Sequence, residues 1–141
     1  IDCGYVKYEG AVALNPVLAV KDDTVTKIGT LTQSGECGVA SKDVGNCKVY
    51  YCAVGNLPAE LLQEIAKESG VHIYTKPGVA TFINNAFAGV YNARENQTEI
   101  TLPKDGTYRE IFSGKVYETK DRKIILPTNE NPSQMLMRME K

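Results

Sequence analysis

The residues of this chain that could do chemistry are few and scattered. Gly35-Glu36-Cys37-Gly38 invites comparison with a nucleophile elbow, where a strained turn exposes a Ser or Cys at a strand end. His72 is the only histidine, so a cysteine hydrolase would have to pair Cys37 with His72. The spacing argues against that pairing. Val39 stands where G-x-C-x-G needs its second glycine, and no His-x-Glu follows, because His72 precedes Ile73 and Tyr74. The residues after Cys37 also lack the apolar helical period that follows an elbow. The glycines read better as bounding a turn between strands. His72, set between Val71 and Ile73, reads as a hydrogen-bonded histidine at an interface or core edge.

The four cysteines, Cys3, Cys37, Cys47 and Cys52, form no CxxC knuckle and no short-spaced Cys/His pair, so the sequence carries no metal site. They read as strand thiols acting as small hydrophobes, with a disulfide from Cys37 to Cys47 or Cys52 as the alternative. Glycoside hydrolysis needs two carboxyl groups flanking a sugar cleft. Seventeen acidic residues are present, but nothing in their spacing sets two of them in a cleft, and no catalytic residue is assigned. Glu60, Glu64 and Glu68 recur along one face of a helix, opposite its apolar stripe, where solvent is expected. No GxxxxGK[ST] or GxGxxG is present to cradle phosphate, and no cofactor is implied. Asn96-Gln97-Thr98 matches the glycosylation acceptor pattern, a match we take as chance. Tyrosines remain as groups that could pack on sugar rings. Of Tyr50, Tyr51, Tyr74, Tyr91, Tyr108 and Tyr117, we take Tyr51, Tyr74 and Tyr91 as the candidate carbohydrate contacts.

With 141 residues the chain can form one ordinary domain or two small ones. Its 43% hydrophobic and 23% charged residues are those of a globular protein. A formal net charge of -1, with acidic and basic residues interleaved, gives no footprint for nucleic acid. No apolar run approaches the ~20 residues of a membrane span. The first residues, IDCGYVKYEG, show no basic segment leading into an apolar core. The absence of an initial methionine points to a processed chain or a fragment, and leaves the compartment open between cytoplasm and export.

The clearest element is Leu57 to Tyr74, LPAELLQEIAKESGVHIY. Pro58 suits a first helical position, where its missing N–H would be unpaired anyway. Leu57, Leu61 and Ile65 repeat at helical spacing, with Leu62 and Ala66 widening the stripe. Glu60 favours the positive end of the helix, and Gly70 supplies a left-handed stop. Val71 to Tyr74 then reads as a strand. Upstream, Ala11 to Val20 is apolar but broken at Asn15-Pro16 into two short pieces. Thr24 to Leu31 reads as a strand after an Asp22-Asp23 turn. Gly35 to Ala40 and Lys48 to Val54 read as a strand pair joined through residues 43–46.

Beyond Tyr74 the pattern changes to short strands between turns. Ala80 to Asn84, Phe87 to Asn92, Thr98 to Leu102, Thr107 to Phe112, Lys115 to Glu118, Lys123 to Leu126 and Met135 to Met139 are the candidates. Lys76-Pro77-Gly78, Pro103 to Gly106, Ser113-Gly114 and Asn129 to Pro132 separate them. Ser113-Gly114 is a compact hairpin signal. Met135, Met137 and Met139 alternate with Leu136 and Arg138, which gives a final strand a soft packing face. Such short strands at even spacing specify a small antiparallel sandwich or barrel.

LPAELLQEIAKESGVHIY, ATFINNAFAGVYNA, TEITLP and YREIFSGKVYE together resemble the C-terminal end of bacterial β-galactosidase-like glycoside hydrolases. NPVLAVKDDTVTKIGTL and CKVYYCAVGNLP resemble, more loosely, a late part of the same enzymes. Those enzymes carry a catalytic (β/α)8 barrel, an amidotransferase-like trimerisation domain and a small C-terminal β-domain. The resemblance implies an α+β chain: a partial α/β unit with one main helix over residues 1–76, then a small antiparallel β-sandwich-like domain over 77–141. Their carboxylate pair lies in the barrel, which this chain lacks. The expected role is therefore a non-catalytic accessory or oligomerisation region, with the remainder of a parent chain or a second copy as partner. The alternative is a self-contained module binding carbohydrate or protein. No nucleic acid or membrane partner is expected.

Overall fold

The computed structural model describes residues 1–10 and 12–139. Ala11, at the head of the apolar 11–20 stretch, lies outside the described residues, as do Glu140 and Lys141 after the final strand. The chain is α+β, with antiparallel strands and, among the described residues, a single helix, and it divides into two compact units, Ile1–Leu62 and Gln63–Lys141.

The first unit holds one antiparallel sheet in the order β1-β2-β3, formed by β1 (Thr26–Thr30), β2 (Cys37–Val44) and β3 (Cys47–Cys52). The β2–β3 hairpin is tighter than its sequence suggests: Val44 pairs with Cys47, leaving Gly45-Asn46 as a two-residue loop. Gly45 takes φ +60°, which a glycine at the first central position of such a loop allows without strain. Cys37 to Ser41 of β2 are all buried, because both faces of this central strand are covered. On one face Ile1 lies over Gly38, with Leu31 beside it. Asp2 exchanges main-chain hydrogen bonds with Thr30 at 2.8 and 2.9 Å, so the first residues extend the β1 edge. No strand of the described residues 12–20 joins the sheet beyond the bridge from Val20 to Cys37.

The helix α1 spans Ala59–Glu68, with Glu60 in its first turn and Lys67 in its last. Its end satisfies the last carbonyls in full Schellman fashion. Gly70 N–H reaches Lys67 O at 3.0 Å and Val71 N–H reaches Ala66 O at 2.9 Å, with Gly70 at φ +74°. The strand expected over Val71 to Tyr74 does not form. This stretch receives one main-chain bond, Thr101 N–H to Tyr74 O at 2.7 Å. The Thr101 carbonyl, which would continue a ladder, instead accepts His72 Nε2–H at 2.8 Å.

In the second unit all seven short strands form. They are β4 (Ala80–Ile83), β5 (Phe87–Tyr91), β6 (Gln97–Thr101), β7 (Thr107–Glu110), β8 (Val116–Glu118), β9 (Lys123–Pro127) and β10 (Ser133–Met139). One sheet has the order β4-β5-β10-β7-β8 and a second pairs β6 with β9, antiparallel throughout. Ala88 and Val90 of β5, Ile100 of β6, Tyr108 of β7, Ile124 and Leu126 of β9 and Leu136 of β10 form the core, completed by Leu102. Alternation puts these residues on the inner faces. The crossing from β5 to β6 is pinned by a buried Asn92, which donates to Thr98 Oγ1 at 2.8 Å and accepts Arg94 N–H at 3.0 Å. The final strand is central, lodged between β5 and β7, so its leucine row is core and its methionine row faces outward.

Candidate functional site

The alternation that builds the core leaves a second apolar set on the outer face of the five-stranded sheet. Phe82 of β4 faces Gly89 of β5, which faces Met135 of β10; Phe87, Met137, Arg109 and Val116 form the next row. Tyr91 adds to this face, and Ile111 continues it past β7, its N–H bonded to Met135 O at 2.9 Å. Phe82 is 76% exposed, Tyr91 49% and Phe87 38%. At about 200 Å² per aromatic side chain these three leave roughly 300 Å² open, before the aliphatic neighbours are added. Because Gly89 has no side chain, a hollow of about 510 Å³ opens between Phe82, Phe87 and Met135. The sequence signal for this face is present in hindsight: β4, β5 and β10 are apolar at both odd and even positions, where a half-solvated strand alternates with polar residues.

The residues singled out from sequence are divided between the two units. Tyr51 lies on β3 of the first unit, exposed, its hydroxyl donating to Leu18 O at 2.7 Å. In the second unit, Tyr74 is half-buried against the core with His72 edge-on at 4.5 Å. Tyr91 stands on the outer face, outside the hollow between Phe82, Phe87 and Met135. Cys37 is buried and its thiol donates to Val39 O at 3.4 Å. His72 donates through Nε2 to Thr101 O, so Nε2 carries a proton.

All four thiols are free, so the alternative disulfide from Cys37 is not formed. The register sets Cys52 opposite Val39 and Cys47 opposite Val44. Cys52 also donates to Val54 O at 2.8 Å while accepting the Tyr8 hydroxyl at 3.0 Å. Burial and that thiol together push the Tyr8 phenol well above its ordinary range. Among the described residues no group of three or more His, Cys, Asp or Glu could hold a metal ion, and no helix is long and apolar enough to cross a membrane.

The acidic residues are largely committed to cations or main chain. Asp22 pairs with Lys42 at 2.5 Å, Glu64 with Lys67 at 2.7 Å and Glu99 with Lys123 at 2.8 Å; Glu36 pairs with Lys21 and Glu95 with Lys76. The Lys42 ammonium, helped by Thr24, holds the Asp22 carboxyl far below the usual carboxylate range. A cleft of about 760 Å³ between Gln63, Tyr74, Gln97 and Thr101 is rimmed by two of these pairs, those of Lys76 and Lys123. Such neutralised pairs suit an exposed surface better than acid–base chemistry, which needs a proton held near neutrality.

A different cleft, of about 530 Å³, opens at one end of the second unit's core, where Tyr74, Leu102, Tyr108 and Leu136 meet Lys104 and Arg138.

No family model matches the chain, and no curated protein matches it. Among solved structures, Gan42B, a GH42 beta-galactosidase, aligns over 83% of this chain at 16% identity and a TM-score of 0.49. The aligned part is 18% of that protein, so the chain spans less than a fifth of its length. A likeness of that degree bears on neither activity, ligand nor assembly.

Proposed function

We infer that the chain is a non-catalytic accessory region of a glycoside hydrolase-like protein, whose second unit works by packing an apolar sheet face against the rest of its parent or against another subunit. The observation that carries this reading is the outer face of the five-stranded sheet, centred on Phe82, Phe87 and Met135. Open apolar patches of several hundred Å² are often functional interaction sites. The sequence resemblance of 57–74, 80–93, 98–103 and 108–118 to the C-terminal end of β-galactosidase-like enzymes supplies the class of parent. The pairing of most acidic side chains with lysines or main-chain donors accords with a region that leaves chemistry to other parts.

The test is the purified chain with and without Phe82→Ser and Tyr91→Ser. The wild type should bind an apolar dye and self-associate in sedimentation velocity. The double variant should lose most of both while its melting temperature stays within a few degrees. Nitrophenyl glycosides should not be cleaved. A wild type that is monomeric and dye-silent at high concentration would overturn the reading, as would glycoside cleavage abolished by removing one of its own carboxylates.

A further inference from the structure

We propose that the open end of the second unit's core is a binding site for a small organic carboxylate carrying a ring-sized apolar body. The proposal is independent of the sheet face and rests on the cleft's unusual combination of floor and rim. Its volume of about 530 Å³ is within the range of small-molecule sites. The floor is the core itself, reached at Leu102 and Leu136 with Ile83 beside them, and the rings of Tyr74 and Tyr108 line it. An apolar ring seated there would cover side chains of the five-stranded sheet together with Leu102, which follows β6.

The charge on the rim has one sign. Lys104 and Arg138 line the cleft, and no Asp or Glu among the described residues does. Neither cation has an ion-pair partner among the described residues. Asp105, next in the chain to Lys104, is turned to the Arg122 N–H at 2.6 Å. Arg138 occupies the inward row of β10, after Gln134 and Leu136, where a side chain otherwise enters the core. Arg138 pairs with Tyr108 across the β10–β7 ladder, and both side chains border Gly106: a Cβ placed there would lie 3.7 Å from Arg138 Nε and 3.8 Å from Tyr108 Cε2. An arginine fork at the mouth of the cleft offers two parallel N–H donors, which a carboxylate can accept together.

The main chain beneath the rim is held by its own hydrogen bonds. Arg138 N–H bonds Ala86 O at 3.2 Å, and Asn84 Oδ1 accepts the N–H groups of Ala86 and Phe87 at 2.9 and 2.8 Å, which fixes the β4–β5 turn. The Tyr108 hydroxyl donates to Lys104 O at 2.8 Å and anchors the opposite wall. Cationic donors beside an apolar floor favour a monoanion with a hydrophobic body over a fully hydrated one, because only the former displaces water from the floor.

The experiment is an amide NMR titration of the labelled chain with benzoate and cyclohexanecarboxylate, with benzamide, acetate and inorganic phosphate as comparisons. Both ring carboxylates should move the signals of Ala86, Lys104 and Arg138 saturably in the millimolar range, as such small ligands permit. Benzamide and acetate should bind about tenfold more weakly or worse, and Arg138→Gln or Lys104→Gln should weaken benzoate by a similar factor while leaving core signals in place. Absence of saturable shifts with either ring carboxylate overturns the proposal. So does benzamide binding as well as benzoate, phosphate binding more tightly than both, or an affinity that survives both substitutions.

Discussion

The carboxylate of Glu110 accepts the main-chain N–H of Met135 at 3.1 Å, joining β7 to β10 on the inner side of the sheet. Its other oxygen accepts Ser113 N–H at 2.6 Å and closes the β7–β8 turn. Glu110 is 1% exposed, yet the charge is tolerated. Burial pushes the carboxyl up, but hydrogen bonds from the Ser113 hydroxyl and from the N–H groups of Ser113, Met135 and Phe112 outweigh it, and the net displacement is downward.

Glu110→Gln should therefore cost about 1–3 kcal/mol, because one oxygen is replaced by an NH₂ that faces a donor. The pH dependence has a definite sign. A folded pKa below the unfolded value contributes stability above the unfolded pKa, near 4.3, and that contribution disappears as pH falls through the folded pKa. The wild type should lose more stability than the Gln variant over that acid interval. Urea denaturation of both proteins at pH 7 and across the acid range measures the difference; equal slopes would show that the carboxylate charge plays no part.

Gly38 supplies a second stability prediction, in the first unit. A Cβ there would lie 2.4 Å from Ile1 Cδ1 and 3.0 Å from Leu31 Cγ. Gly38→Ala should destabilise by about 1–3 kcal/mol through overpacking. Trimming the opposing side chain with Ile1→Ala in the same protein should recover part of that loss. A double-mutant cycle on the unfolding midpoint isolates the coupling, and strict additivity would mean that Ile1 does not sit on Gly38.

Gly70 tests the helix end that was clearest in the sequence. At φ +74° an alanine is strained, so Gly70→Ala should cost about 1 kcal/mol. Asparagine, which visits this region more readily, should cost less. Thermal melts of the two variants rank the effect, and an alanine at least as stable as glycine would contradict the left-handed stop.

Local chemistry made much of this fold legible. The Pro58 start, the Gly70 stop and the turns at Gly45 and Gly114 act over a few residues, so their elements could be placed from sequence with ends shifted by a residue or two, except that β2 runs on to Val44 and not Ala40. What was not legible depends on register between distant strands. The lodging of β10 between β5 and β7 brings Arg138, Tyr108 and Ala86 together, although Ala86 and Arg138 lie far apart in the chain. Tyr51, Tyr74 and Tyr91 looked alike as strand tyrosines, and only the topology separates an outer-face ring from one packed on the core. The failed strand at 71–74 has the same origin, since the His72 side chain takes the Thr101 carbonyl that a ladder would use.

The cysteines give a last prediction. Cys47 stands exposed at the β2–β3 turn, its thiol loosely engaged with Val44 O at 3.2 Å. Cys37 is buried, Cys52 is held between Tyr8 and Val54, and burial pushes the Cys3 thiol up, lowering its thiolate fraction. Thiolate and access together govern reactivity. A thiol reagent applied to the native chain should therefore modify one cysteine in a fast phase, and the other three at the rate of local or global unfolding. Cys47→Ser should remove the fast phase and leave the slow phase unchanged. Denaturant should merge the phases in the wild type, because all four thiols then meet solvent alike. Mass mapping of the first modified peptide identifies the site, and fast labelling at Cys3 or Cys52 would show that the N-terminal residues open from the β1 edge in solution.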